Sequence, residues 1–61
     1  MNEAYQKFLQ GKYDAIDGCI GHLSIAIQEL GEYQEYSWLK QVVQSLLDEA
    51  KRIKEEVQKE W

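Results

Sequence analysis

The sequence predicts an all-α protein: an antiparallel helical hairpin that pairs with a second copy into a four-helix bundle. Three observations carry this. The chain has no proline and no cluster of turn-forming residues. Apolar residues recur at alternating steps of four and three over two stretches, the a/d spacing of packed helices. Those stretches, about residues 3–30 and 37–60, are joined by a short segment that opens on a glycine.

The first helix begins at Asn2, a good N-cap, with Glu3 placed against the positive end of the helix dipole. Leu9, Tyr13, Ile16, Ile20, Leu23, Ile27 and Leu30 form its seam. Gly11 interrupts the helical composition, and Asp14 with Asp17 could cap a fresh start there. A break would reset the heptad phase, and the phase runs through unchanged. The expectation is therefore one helix from Glu3 to Leu30, roughly 40 Å long at 1.5 Å per residue. The alternative is a monomeric three-helix bundle with a break at Gly11. Gly31 then stops the helix, because it adopts a positive φ without steric cost.

The turn spans Gly31 to Tyr36, and Ser37 is the expected cap of the second helix. Leu39, Val43, Leu46, Ala50, Ile53 and Val57 form the second seam, flanked by Val42 and Leu47. Asp48/Arg52, Lys51/Glu55, Arg52/Glu56 and Glu55/Lys59 are spaced for i,i+4 ion pairs on the outer face. Trp61 either folds back on the seam or stays free.

Assembly follows from size. At 61 residues, 1–61 form a single helical domain. One core of this size supplies only ~3–5 kcal/mol, and such chains usually add a disulfide, a metal or a partner. Cys19 is the only cysteine and His22 the only histidine, so neither a disulfide nor a four-ligand zinc site forms within one chain. A homodimer is the remaining device. Glycine costs ~1 kcal/mol against alanine inside a helix. Gly11, Gly18 and Ile25 fall in one row opposite the seam, with Gly21 beside them. Gly18, Gly21 and Ile25 are therefore candidate interface residues, where another backbone could approach closely. The competing reading is that these glycines are only tolerated and Ile25 is an ordinary exposed residue.

Composition sets limits on function. A net charge of −4 argues against a nucleic-acid groove, despite the local group Lys51, Arg52, Lys54 and Lys59. It also argues against an anionic membrane surface. No apolar run is long enough for a membrane span. The polar start Met1-Asn2-Glu3 does not resemble a secretory signal, and a lone cysteine suits a reducing compartment. The cytoplasm is the expected location.

Chemistry-bearing groups are sparse. Cys19 and His22 share a helix side and give at most half a metal site per chain, so no metal or cofactor is expected. Ser24, Ser37 and Ser45 sit in no nucleophile motif. Asp14 and Asp17, and Glu29 and Glu32, are acidic pairs at i,i+3. Glu29-Leu30-Gly31-Glu32 resembles the Glu-x-x-Glu element of the MazG-like nucleotide pyrophosphohydrolases. That resemblance implies an all-α, Mg²⁺-dependent nucleotide hydrolase with Glu29, Glu32 and Asp48 as ligands. It covers four residues. The family's preceding Glu is Gln28 here, and its second Glu-x-x-Asp element reads Ser45-Leu46-Leu47-Asp48.

Tyr33, Tyr36 and Trp38 cluster at the turn between Glu32 and Glu35. They either close the end of the bundle against Leu30 and Leu39 or offer a contact surface to another protein. The sequence is thus read as a non-catalytic protein-interaction or regulatory module acting as a helical-bundle dimer. The Mg²⁺-dependent hydrolase is the alternative.

Overall fold

The computed structural model describes residues 2–61 as two long helices, α1 (Glu3–Leu30) and α2 (Ser37–Glu60), joined by a tight turn. Asn2 caps α1 as expected: its side-chain oxygen accepts from the Ala4 N–H at 2.9 Å. The helix continues through Gly11, so the hairpin holds and the three-helix arrangement does not. Nothing in the chain competes for Gly11's backbone, and the unbroken apolar phase on either side keeps it helical.

Gly31 ends α1 at φ 59°, ψ −140°, and its N–H donates to the Ile27 carbonyl at 3.1 Å. This is a conformation that side chains rarely adopt. A single 3₁₀ turn, Gln34–Tyr36, then leads into α2. Ser37 is not the cap predicted for it. Ser37 is the first residue of α2, and Tyr36 occupies the cap position with no side-chain hydrogen bond. The 3₁₀ turn removes the need: Tyr36 N–H reaches the Tyr33 carbonyl and Ser37 N–H reaches that of Gln34.

The two helices pack along their seams. All seven predicted seam positions of α1 are buried or half-buried, Leu9 most completely. On α2 the seam is rolled from the predicted one. Leu47 is 5% exposed, whereas Leu46 is 54% and Ile53 37% exposed. Val43, Ala50 and Val57, seven apart, are the central line. Leu46 and Ile53 are one flank, and Leu47 and Lys54 the other. The roll favours the Lys54 side because Lys54 finds partners there. Its ammonium reaches Asp17 at 2.8 Å and lies 5.2 Å from the centre of the Tyr13 ring. Trp61 folds back, edge-on to Tyr13 at 5.8 Å.

The result is long and thin, 51 × 15 × 9 Å, with a radius of gyration of 14.7 Å. A compact chain of this length would have about 10.5 Å. The apolar residues fully buried among the described ones are Leu9, Leu47, Ala50 and Val57.

Candidate functional site: an apolar flank

Residues seven apart share a helix face, so each helix carries rows. The ion pairs show which rows meet. Asp17 and Lys54 join one side of the hairpin; Lys12 and Glu60, 3.6 Å apart, join the other. The Lys12 row of α1 holds Tyr5, Cys19 and Ala26. The Glu60 row of α2 holds Leu39, Leu46 and Ile53. These two rows therefore lie on the same side of the hairpin. One step further out are Phe8, Ala15 and His22 on α1 and Val42, Glu49 and Glu56 on α2.

This side is apolar and open. Tyr5, Phe8, Val42, Leu46 and Ile53 are all exposed to a third or more of their surface, and Cys19 is an exposed free thiol. Tyr5 and Phe8 stack obliquely at 6.4 Å, and the Lys12 ammonium lies over the Phe8 ring. The opposite side is polar, with Gln10, Asp17, Ser24, Lys40, Gln44, Lys51 and Lys54. One side of the hairpin is thus polar, and the other mixes exposed apolar side chains with the Lys12–Glu60 pair, Glu49 and Glu56.

The residues singled out from the sequence are placed as follows. Gly18, Gly21 and Ile25 are exposed on the back of α1. A Cβ at Gly11, Gly18 or Gly21 would meet nothing within 4 Å, so nothing inside one hairpin offsets their helical cost. The row of Gly18 and Ile25 adjoins the apolar flank beyond Ala15, whereas Gly21 lies toward Asp14 and Gln28. At the turn, Tyr33 and Tyr36 meet edge-on at 6.0 Å. Tyr33, Tyr36 and Trp38 are each about half exposed or more. The Tyr33 ring lies beside Gly31, where an added Cβ would be 3.8 Å from it.

The charged groups are largely committed. Arg52 is held by Glu49 and Glu56, not by Asp48, which instead accepts from Gln44 at 3.1 Å. Arg52 beside Glu49 holds that carboxyl below the usual carboxylate range, and Asp17 raises the Lys54 ammonium. Lys40 donates to the Gly31 carbonyl at 3.0 Å and pairs with Glu32 at 3.5 Å. Asp14 accepts from Gln10. Glu29 and Asp48 project from different sides of the hairpin, and no three acidic, His or Cys groups among the described residues are placed to share a metal ion. A depression of about 340 Å³ near the helix start is lined by Glu3, Gln6, Lys7, Gln10 and Trp61. It is shallow and open to solvent, without the enclosure of a ligand pocket.

No protein-family model matches the chain, and no curated protein or solved structure is significantly similar to it. The apolar flank must be interpreted from its own chemistry. No helix among the described residues is long and apolar enough to cross a membrane.

Proposed function

We propose that this chain is a small non-catalytic protein-interaction module that works as a helical-bundle dimer. One observation carries the reading: the hairpin leaves a group of apolar side chains exposed on one flank, Val42, Leu46 and Ile53 beside the free thiol of Cys19. Scattered apolar residues on a surface need no explanation, but a contiguous patch marks an interaction site. The thin core adds to it, because four fully buried residues among the described ones are a small return for the order imposed on them. The turn aromatics Tyr33, Tyr36 and Trp38 stand at one end of the hairpin, Trp38 one helical turn from Val42, and supply a second surface for another protein. The exposed thiol of Cys19 suits the reducing cytoplasm.

The test is thermal unfolding at several protein concentrations. If folding is coupled to association, the melting temperature rises with concentration. A melting temperature independent of concentration over a hundredfold range contradicts the proposal.

A further inference from the structure

We infer that the apolar flank is closed by the same flank of a second copy, with α1 of each chain lying against α2 of the other about a two-fold axis running along the helices. This rests on the dimeric reading above and specifies its surface and pairing. The Gly18–Gly21–Ile25 face, the sequence's candidate, is then at or beyond the edge of the contact.

Surface area supports this pairing. The chain exposes 4785 Å². A compact monomer of 7.2 kDa would expose about 4,100 Å². The excess is roughly 650 Å², close to the ~800 Å² that each subunit gives up in a dimer of standard size. A second copy of a surface this long is therefore enough to cover it.

Shape also supports this pairing. Where the flank rows run level with the large Leu46 and Ile53 of α2, the inner row of α1 offers the small Cys19 and Ala26; the large Tyr5 and Phe8 of α1 lie beyond the end of α2. Large residues pack best against small ones. Within the hairpin, Asp17 is level with Lys54 and Gly31 with Lys40. On that register Ile53 is level with Gly18 and Cys19, and Leu46 with Ile25 and Ala26. A two-fold axis along the helices keeps these levels, so Ile53 of each copy faces Cys19 of the other and Leu46 faces Ala26.

Charge agrees with this pairing. The α2 side of the flank carries Glu60 and, sharing Arg52, Glu49 and Glu56; the α1 side carries Lys12, with Glu29 at its far end. Stacking α2 on α2 would set acidic rows against each other. Stacking α1 on α2 turns Lys12 toward that acidic edge instead, and makes neighbouring helices antiparallel.

Cys19 reports on this directly, since a covered thiol is slow to alkylate. In the wild-type chain, iodoacetamide labelling of Cys19 should slow at least tenfold between dilute protein and concentrations at which two chains associate. Ile53→Glu should abolish association and restore rapid labelling, whereas Ile25→Glu should leave both unchanged. Under mild oxidation the wild-type dimer should not become covalent: this pairing puts the two Cys19 residues on opposite sides of the bundle, beyond the ~7 Å Cα separation a disulfide allows. A dimer whose Cys19 labels as fast as the denatured chain overturns the surface while leaving self-association intact. Rapid Cys19–Cys19 crosslinking of the dimer overturns the pairing. A wild-type chain that stays single at every concentration overturns the dimeric reading itself.

Discussion

Leu46→Ala is the sharpest mutational test, because Leu46 and its neighbour Leu47 differ in role but hardly in sequence context. Leu46 is 54% exposed in the hairpin. Fully burying a leucine is worth about 1.5–3 kcal/mol, so about half of that remains available to a partner. Allowing for the methyl group that alanine keeps, the loss is about 1 kcal/mol per chain. Two-fold symmetry doubles it to about 2 kcal/mol per dimer, or roughly a thirtyfold weaker dissociation constant. Sedimentation equilibrium of the wild-type and Leu46→Ala chains measures the difference. If Leu46 merely lies on a free surface, the substitution changes association by less than about threefold, and the reasoning fails. Leu47→Ala serves as the contrast. Leu47 is 5% exposed, so its loss should destabilise the hairpin itself by about 2–5 kcal/mol.

Three further outcomes are expected. Leu9→Ala removes the most buried side chain, 1% exposed, and should cost about 2–5 kcal/mol, which denaturant titration would register as near-complete loss of cooperative folding. Gly31→Ala should cost about 1–3 kcal/mol, because φ 59° with ψ −140° strains any residue with a Cβ; an unchanged denaturation midpoint would contradict that account. Stability should also fall at both pH extremes. The Glu49 carboxyl is lowered in the fold by Arg52, so its contribution is present above its ordinary value of 4.5 and is lost as pH falls through the lowered one. The Lys54 ammonium is raised by Asp17, so its contribution is full below its ordinary 10.5 and is lost as pH rises through the raised value. Far-UV circular dichroism against pH reads both limbs. High salt should flatten them, since these groups are exposed.

Much of the fold is legible in the sequence for reasons of periodicity. The α1 seam from Leu9 to Leu30 keeps one phase across Gly11, and an unbroken phase implies an unbroken helix. Gly31 is readable because only a positive φ makes glycine the natural residue there. The roll of α2 is not readable. Leu46 with Ile53 and Leu47 with Lys54 are both acceptable flanks, and hydrophobicity favours the first pair. The structure chooses the second because Lys54 meets Asp17, 37 residues away in sequence. No local pattern carries that information. The cap of α2 is illegible for a different reason: serine signals a cap, but a 3₁₀ turn can satisfy the first N–H groups instead.

The candidate surface divides the same way. The turn aromatics are visible as a cluster in sequence, and they are exposed in the fold. The apolar flank is not visible, because neither half stands out. On α1, Ala26 carries no signal and Cys19 reads only as half of a metal site, while Leu46 and Ile53 look like core on α2. Their combination emerges only once the Lys12–Glu60 and Asp17–Lys54 pairs fix which flank of one helix meets which flank of the other.

The central claim is that this hairpin is half of a bundle. Sedimentation equilibrium of the wild-type chain across a concentration series tests it most directly. The account predicts a mass of twice the 7.2 kDa chain, with helicity falling as dilution releases single chains. A 7.2 kDa species that remains fully helical and unfolds cooperatively at every concentration would contradict it.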